Sequence, residues 1–278
     1  MVAVASETHP PVRPFLKWAG NKYRVLPHIR RRLPAGQRLV EPFVGSGALF
    51  LNCDYDAYLL ADSNPDLILL YNTLKTEGAD FIRYARTFFA PRYNTPEQYY
   101  ALREKFNRAR QSRHKAALFV YLNRHGYNGL CRYNASGGFN VPFGRYRRPY
   151  FPEAEMRAFC DKAQRAEFRV QSFETTLAQT GQGDVVYCDP PYVPLSLSAN
   201  FTDYSRGGFD LEQQRLLARL AAETAARGIP VLISNHDTPF TRKAYAAARS
   251  LDAFSVHRSI SCNTARRQAA GEVLALFA

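Results

Sequence analysis

Four short apolar runs, each ending at a polar or acidic residue, constrain the fold of this chain more than any other feature of its sequence. They are residues 38–41, 57–62, 184–189 and 229–235. Such runs are typical of buried parallel strands whose carboxyl ends face a crevice. Stretches with helical periodicity separate or follow them, at 22–33, 64–76, 210–227 and 238–248. This alternation predicts an α/β fold built on a doubly wound sheet.

The interval between the second and third runs carries almost all of the excess positive charge. From Arg83 to Arg148 there are 14 Lys and Arg residues against two acids, Glu97 and Glu104, which leaves +12 in a chain of net charge +13. Fourteen aromatic residues lie in the same interval. Cations that meet phosphates, interleaved with rings that stack on bases or sugars, favour nucleic-acid binding over a merely solvated surface.

This basic interval has its own predicted structure. Helices are expected at 96–110 and 113–124, and the Gly- and Asn-rich composition of 126–148 is typical of turns and a hairpin. We therefore expect a nucleic-acid-binding domain at 65–152, inserted into a catalytic domain made of 1–64 and 153–278.

Composition excludes several other classes of protein. Hydrophobic residues at 46% and aromatic residues at 13% disfavour a disordered chain. No apolar run approaches the ~18 residues of a membrane-spanning helix, and residues 1–14 lack the apolar region of a secretory signal. Five scattered cysteines without a CxxC pair, and six histidines without zinc-ligand spacing, predict free thiols and no metal site. The sequence therefore predicts a soluble cytoplasmic protein without a membrane anchor.

The first chemical motif is Val40–Gly47, which directly follows the first predicted strand. Its glycines let the backbone approach a ligand, and the N-terminus of the next predicted helix favours polar or anionic groups. Asp62 ends the following strand, 17 residues after Gly45, where it is placed to bind a ribose diol. The motif favours a nucleoside-containing ligand over a tight strand–helix turn with no ligand.

The second motif is Asp189–Tyr192, at the end of the third run. Two successive prolines remove two N–H donors and fix the direction of the chain. The carboxylate and the carbonyls are then available as acceptors beside an aromatic ring, which suits an exocyclic amine on a flat heterocycle. An Asp-Pro-Pro turn alone is more often structural, but its position in a nucleoside-binding sheet favours a functional role.

Six segments together resemble one family in their order along the chain. They are Phe15–Lys22, Glu41–Gly47, Leu122–Asn134, Phe139–Arg145, Asp189–Tyr192 and Leu232–Asp237. The chain resembles the Dam-type DNA adenine N6-methyltransferases, the D12 class in alpha motif order, from about Pro14 to the C-terminus. It departs from the family's pattern at Asn21, where a second glycine is usual, and at His125, where a tyrosine is expected.

The resemblance implies a Rossmann-like methyltransferase sheet, S-adenosylmethionine (AdoMet) as methyl donor, and double-stranded DNA containing GATC as substrate. It implies no metal, and we expect a monomer with no obligate protein partner. The implied catalytic residues are Asp189, Pro190, Pro191 and Tyr192. The implied cofactor-binding residues are Trp18, Lys22, Glu41, Phe43, Gly45, Gly47, Asp62 and Asp189. The implied DNA-binding residues are Lys17, Tyr127, Asn128, Leu130, Arg132, Pro142 and Arg145.

The expected mechanism is a direct in-line methyl transfer to an adenine that has left the base stack. Asp189 and the Pro190 carbonyl would accept from the N6 amino group, while Tyr192 would stack on the base. We do not expect Cys188 to be a nucleophile, and we interpret His236 as structural. Arg132 is expected to read a guanine, whereas Lys115 is expected to meet phosphate or solvent.

Three alternatives remain open at this point. A methyltransferase acting on another amine, such as cytosine N4, an RNA base or a protein glutamine, could use a similar Pro-Pro-Tyr turn. A DNA-binding regulator without activity could retain the fold. The enzyme could also be paired with a restriction nuclease rather than act alone.

Overall fold

A computed structural model of the chain describes residues 11–194, 209–256 and 270–278, without the side chains of 256 and 270. Its strands are β1 Arg38–Glu41, β2 Ala57–Asp62, β3 Ala166–Val170, β4 Asp184–Cys188, β5 Val231–His236, β6 Ser250–Val256 and β7 Ala270–Phe277. Its α-helices are α1 Leu26–Arg32, α2 Ala48–Asn52, α3 Pro65–Arg86, α4 Pro96–Arg108, α5 Arg113–His125, α6 Glu153–Ala163, α7 Phe173–Ala178, α8 Leu211–Ala226 and α9 Pro239–Ala244. Single 3₁₀ turns lie at Lys22–Arg24, Thr87–Phe89, Pro91–Tyr93 and Tyr127–Gly129.

The seven strands form one sheet in the order β3-β2-β1-β4-β5-β7-β6. Strands β1 to β5 pair in parallel, and β7 runs antiparallel to both of its neighbours. The chain moves outward from β1 through β2 to β3 and then returns to β4, so the strand order reverses between β1 and β4. A crevice at the carboxyl ends of the strands is expected at such a switch point. The predicted α/β class is confirmed.

Two apolar clusters cover the two faces of the sheet. One contains the buried side chains of α1, α2, α3 and α6 together with those of the inserted helices α4 and α5. The other contains α7 and α8 with the opposite faces of β1, β4, β5 and β7. The strands are apolar on both faces because helices cover both, as parallel sheets require.

The inserted region is anchored on α5, which is buried from Ala116 to His125. Because its middle, residues 116–122, is apolar on all sides, the helix packs between α3 and α4 rather than lying on the surface. The segment 126–148 folds back on itself, but within it the structure has isolated antiparallel bridges, Gly126 to Phe143 and Tyr133 to Phe139, in place of the regular hairpin that we predicted. Side chains of α4 supply the missing support: Tyr99 donates to the Val141 carbonyl at 3.0 Å, and Asn107 bonds the backbone of Phe139.

Within the described ranges, no helix is both long enough and apolar enough to cross a membrane.

Candidate active site and DNA-reading segment

The loop after β1 requires glycine at two positions. Gly45 and Gly47 have φ of 47° and 69°, in the left-handed region that favours glycine. A Cβ on Gly45 would also lie 2.9 Å from the indole nitrogen of Trp18. The backbone of this loop therefore lies directly beneath Trp18, and any larger residue would displace the ring.

Glu41 is a buried carboxyl group at the carboxyl end of β1. It is 3% exposed, and its Oε1 has no hydrogen-bond partner within the described part of the chain. Burial, and then the nearby charge of Asp189, raise the pKa of Glu41 to about 8, although the Phe50 N–H, in the first turn of α2, lowers the pKa of the carboxyl group. The group therefore holds a proton at neutral pH and has an unused acceptor.

Asp62, at the end of β2, is held by backbone N–H groups of the loops after β1 and after β2. Its Oδ2 accepts from the Gly45 N–H at 3.1 Å, and its Oδ1 accepts from the Asn64 N–H at 2.9 Å. Burial raises the pKa of this carboxyl, and those two N–H donors oppose the rise. Each carboxylate oxygen has more than one lone pair, so the group retains acceptor capacity for a diol.

Asp189 lies at the end of β4, across the switch point from Glu41. Its Oδ1 contacts the Lys22 ammonium at 2.9 Å and accepts from the Ser234 hydroxyl at 3.0 Å. Tyr187 is hydrogen-bonded to the same Ser234 hydroxyl at 2.9 Å. Burial raises the pKa of Asp189, whereas the charge and hydrogen bond of Lys22 and the bond from Ser234 lower it. The carboxylate is thus oriented by two neighbours.

Lys22 connects Asp189 with Tyr192. Its side chain is 8% exposed, and its Nζ lies 4.4 Å from the centroid of the Tyr192 ring, within cation–π distance. The same ammonium donates to the Gly20 carbonyl at 2.5 Å. The Lys22 nitrogen thus makes one of the two contacts that we predicted for an exocyclic amine, the one with Asp189, and it lies over the ring that we expect to stack on the base. Lys22, which the resemblance implies in cofactor binding, therefore contacts the two residues that we expect to hold the base.

The Asp189–Tyr192 turn is supported by polar residues that the sequence analysis did not single out. Gln214 on α8 donates to the Pro191 carbonyl at 2.6 Å, and Asn235 accepts from the Val193 N–H at 3.0 Å. The Tyr192 hydroxyl donates to Glu272 at 3.1 Å. Gln214 and Asn235 are completely buried. A buried amide inside an otherwise apolar helix or strand is the signal that identifies such residues.

His236 and Cys188 flank the turn. His236 bonds the Val193 carbonyl through Nδ1 at 2.5 Å and contacts the Tyr192 ring edge to face, with 4.8 Å between centroids. This agrees with the structural role that we predicted. Burial raises the pKa of the Cys188 thiol, so the reactive thiolate is disfavoured.

Residues 126–148, which we expect to face DNA and name the DNA-reading segment, contain most of the predicted DNA-binding residues. The Arg132 guanidinium is held by the Asn140 side chain at 2.8 Å and by its carbonyl at 3.3 Å. Tyr127 is exposed, and its N–H donates to the carbonyl of Pro142 at 2.8 Å. Asn128 and Arg145 both have positive φ, which is uncommon outside glycine and is concentrated at functional sites. Leu130 is partly buried against the core.

Lys17 connects the N-terminal segment to this DNA-reading segment. The Asn123 side chain accepts from the Lys17 N–H at 2.9 Å and donates to its carbonyl at 2.7 Å. The Lys17 ammonium lies 4.0 Å from the centroid of the Tyr146 ring. Gly129 packs so closely against this lysine that a Cβ there would overlap its side chain. Lys17 is thereby fixed beside the residues that we expect to face DNA.

The prediction that Lys115 meets phosphate or solvent is wrong. Its ammonium forms an ion pair with Asp66 at 2.9 Å, and its side chain is 15% exposed. Tyr133 donates to the other oxygen of Asp66 at 2.8 Å. Charge composition alone does not distinguish a surface lysine from one that neutralises a buried carboxylate. In the resulting Lys115–Asp66–Tyr133 cluster, Asp66 holds Tyr133, the neighbour of Arg132 in the sequence, against the first turn of α3.

The two departures from the family pattern are accommodated locally. Asn21 has φ −49°, so a glycine is not required there, and its side chain caps the following turn by accepting from the Tyr23 N–H at 2.7 Å. His125 is buried, bonds the Tyr121 carbonyl through Nδ1 at 3.0 Å, and packs on the rings of Tyr121 and Phe89. Burial lowers the pKa of His125 to about 4, so it is neutral.

Known proteins identify the family to which this geometry belongs. The family model described as D12 class N6 adenine-specific DNA methyltransferase matches residues 18–259. The chain belongs to this family. A DNA adenine methylase of Escherichia coli (strain K12) is 54% identical over 265 residues, covering 95% of this chain and 95% of its own length. That of Serratia marcescens is 53% identical over 266 residues, covering 95% of this chain and 98% of its own. That of Vibrio cholerae serotype O1 (strain ATCC 39541 / Classical Ogawa 395 / O395) is 52% identical over 266 residues, covering 95% of this chain and 96% of its own.

One solved structure matches this chain too weakly to support a conclusion. A solved structure of a precorrin 8w decarboxylase from Methanobacterium thermoautotrophicum aligns with a TM-score of 0.38 and 9% identity, covering 92% of this chain and 89% of that one.

Membership in the D12 class decides between the chemical alternatives raised by the sequence. The chain is an adenine-specific DNA methyltransferase, and its substrate is DNA. Family membership excludes the alternatives that the sequence left open for the substrate, namely an RNA base, a protein glutamine or cytosine N4. It also excludes the alternative of a DNA-binding regulator without activity. No group of three metal-ligating side chains lies within the described ranges.

Proposed function

We propose that this D12-class enzyme transfers a methyl group from AdoMet to N6 of the adenine in GATC, in double-stranded DNA, after the adenine has rotated out of the base stack. The observation that carries the proposal is the position of the Lys22 ammonium between Asp189 and the Tyr192 ring. This contact supports the proposal because it brings together, around one nitrogen, the carboxylate that would accept from N6 and the ring that would stack on an extruded adenine.

The residues of the crevice fit AdoMet as the methyl donor. AdoMet supplies an electrophilic methyl group on a sulfonium, and it carries a second positive charge on its amino group. Glu41 offers a buried carboxyl with an unpartnered oxygen, and Asp62 offers a carboxylate at the end of β2 for the ribose. Gly45 and Gly47 leave room for the ligand beside the backbone. We assign the cofactor pocket to Trp18, Lys22, Glu41, Phe43, Gly45, Gly47, Asp62 and Asp189.

The catalytic turn would position the amine rather than supply a nucleophile. Asp189 and the Pro190 carbonyl accept from the two N–H groups, which directs the nitrogen lone pair away from the ring and toward the methyl group. As the methyl group bonds to N6, its bond to sulfur breaks to leave S-adenosylhomocysteine, and Asp189 is placed to take the proton that N6 must lose. The Pro191 carbonyl, in contrast, accepts a hydrogen bond from Gln214, and this bond fixes the conformation of the turn. Tyr192 stacks on the extruded base, worth ~1–3 kcal/mol for such a contact. Correct placement of reacting groups accounts for much of the acceleration in reactions of this kind, and we propose that no metal takes part.

Sequence recognition would come from the inserted domain, residues 65–152, with 1–64 and 153–278 forming the catalytic domain. We assign DNA contacts to Lys17, Tyr127, Asn128, Leu130, Arg132, Pro142 and Arg145. Arg132 donates two hydrogen bonds to a guanine of GATC in this proposal, for which it must leave Asn140 or share it. The enzyme acts as a monomer on DNA, in the cytoplasm of a bacterial host.

Digestion of treated plasmid tests the function directly. Plasmid from a host that lacks adenine methylation is incubated with the protein and AdoMet, and then cut with one nuclease that requires unmethylated GATC and one that requires methylated GATC. We expect protection from the first and cleavage by the second. Methylation at sites other than GATC would refute the specificity while leaving the adenine activity intact.

A further inference from the structure

A cavity of about 480 Å³ lies between α1 and β6, at the edge of the sheet farthest from β3. Its lining residues are His28, Arg31, Arg32, Asp252, Ala253, Phe254 and Leu274. None of them belongs to the cofactor pocket, the catalytic turn or the DNA-reading segment. The function described above leaves this cavity without a role.

The chemistry of the cavity favours an anion. Arg32 forms an ion pair with Asp252 at 2.8 Å, and Asp252 is the one acidic residue among the described lining residues. Arg31 is exposed, and its guanidinium contacts the local Pro27 carbonyl at 3.2 Å and His28 at 3.4 Å. Two guanidiniums and a histidine thus face a single carboxylate. A guanidinium presents paired N–H donors in the geometry that a phosphate group accepts.

The basic side chains of the cavity wall are carried by a helix that is held against the sheet. The His28 ring stacks on Phe254 with 4.4 Å between centroids and 7° between planes. This contact joins α1 to the edge strand β6 and fixes the imidazole beside the guanidinium of Arg31. The basic side chains therefore stand on a helix that is packed against the sheet and not on a loop.

The cavity lies at the end of a longer basic segment. Residues 11–40 contain eight Lys and Arg residues and no Asp or Glu. Within that segment Lys17 contacts Asn123 beside the DNA-reading segment, Lys22 contacts Asp189, and Arg32 contacts Asp252 at the sheet edge. This segment, which has no acidic residue of its own, therefore runs from the DNA-reading segment, past the catalytic turn, to the cavity, although Asp189 and Asp252 neutralise two of its cations.

The strand register gives the distance between the cavity and the catalytic turn. Asp252 pairs with Leu274, and Leu274 pairs with Ser234, whose hydroxyl donates to Asp189. The cavity is thus level with the catalytic carboxylate and three strands away from β4, which is about 14 Å at the usual strand spacing. A DNA duplex rises about 3.4 Å per base pair, so this distance corresponds to roughly four base pairs.

We propose that the α1/β6 cavity binds a phosphate group, supplied by the DNA backbone about four base pairs from the target adenine, on the flank away from the inserted domain. The inference rests on DNA as the substrate, which family membership establishes. A free phosphate or mononucleotide carries the same chemistry and is the alternative source.

Duplexes of graded length test this proposal. Each duplex contains one GATC site. In one series the left flank is held at about ten base pairs while the right flank is shortened stepwise to about two base pairs, and in a second series the flanks exchange roles. For the wild-type protein we expect affinity to fall when one particular flank becomes shorter than about four base pairs. Arg31→Gln should bind the long duplex roughly fivefold more weakly, lack that length step, and show a salt slope lower by about one.

The matched control is Arg219→Gln. Arg219 is an exposed arginine on α8, in the layer on the opposite face of the sheet, so its loss changes the net charge equally without touching the cavity. Arg219→Gln should keep the length step. If the two variants bound the duplexes with equal affinity, and the affinity of the wild-type protein showed no step with flank length, the proposal that the cavity binds a DNA phosphate would be overturned.

Calorimetry with inorganic phosphate distinguishes the two sources. Phosphate binding that disappears in Arg31→Gln, together with the absence of a length step, would assign the cavity to a free phosphate and contradict the DNA source. Absence of both effects would overturn the site altogether. The rate of methylation on the shortest duplex is measured in parallel; it should be unchanged in Arg31→Gln, so failure of the inference is distinguishable from loss of methyltransferase activity.

Discussion

Replacing Glu41 with glutamine should stabilise the ligand-free protein in a pH-dependent manner. Burial raises the pKa of Glu41 from 4.5 to about 8. Below pH 4.5 the group is protonated in both the folded and unfolded states and contributes nothing to pH dependence. Between pH 4.5 and 8 the unfolded chain loses this proton while the folded chain keeps it, so the free energy of unfolding decreases as the pH rises.

The size of the effect follows from the shift. One pKa unit corresponds to about 1.4 kcal/mol, so the contribution of Glu41 amounts to about 3 kcal/mol at pH 7 and about 5 kcal/mol above pH 8, as upper values. Glutamine is neutral at every pH and removes this penalty. The difference in unfolding free energy between Glu41→Gln and the wild type should therefore grow from near zero at pH 4.5 to several kcal/mol at pH 8.5.

Urea denaturation at a series of pH values measures this difference. Glu212→Gln is the control, because Glu212 is an exposed carboxylate on α8; its pH profile should match that of the wild type. Parallel profiles for Glu41→Gln and the wild type would refute the argument that Glu41 is a buried, protonated acid. The same variant should bind AdoMet more weakly, because glutamine cannot release a proton to become negatively charged beside the cofactor's positive charge.

Three further substitutions test separate parts of the site. Asp62→Ala should weaken AdoMet binding about tenfold or more by removing a charge-assisted hydrogen bond to the ribose, which calorimetry measures; unchanged affinity would place the ribose elsewhere. Lys115→Met should lower the free energy of unfolding by about 3 kcal/mol, because it leaves the buried Asp66 carboxylate without its cation; a loss of DNA affinity with unchanged stability would contradict the ion pair as a structural element. Arg132→Ala should relax discrimination at one guanine of GATC by ~1–3 kcal/mol, measured as methylation rates on singly substituted sites; a uniform loss at all sites would make the segment a backbone clamp.

The sequence predicted the central strands accurately because their signal is strong and local. Strands β1 and β2 begin and end where the apolar runs predicted, and each run ends at the acidic residue that enters the crevice. Strand β3 went undetected because it lies at the edge of the sheet, where Glu167 and Arg169 alternate with buried residues in a run of five. Strands β6 and β7 were not predicted either. They pair antiparallel at the other side of the sheet, and neither ends at an acidic residue of the kind that identified the parallel strands.

The candidate site was predictable where residues form motifs and unpredictable where contacts cross the fold. The sequence pointed to Asp189 and Tyr192, but not to Ser234, which orients the carboxylate from the neighbouring strand. The lysine at position 22 was expected in the cofactor pocket, yet its contact with Asp189 joins residues 167 positions apart. Charge counting marked a basic interval but misassigned Lys115, because only packing shows which cation has a buried partner.

The rate of a single methyl transfer by Asp189→Asn tests the central claim most directly. Asparagine keeps the size of the side chain and an oxygen to accept from Ser234, but it lacks the charge and the second acceptor that hold the amine. With saturating AdoMet and GATC duplex, and with folding and DNA binding verified separately, we predict a rate reduced by roughly a hundredfold or more, the scale of losing one group that acts on the transition state. A rate within a few-fold of the wild type would contradict the account, because the amine would then be positioned by other groups.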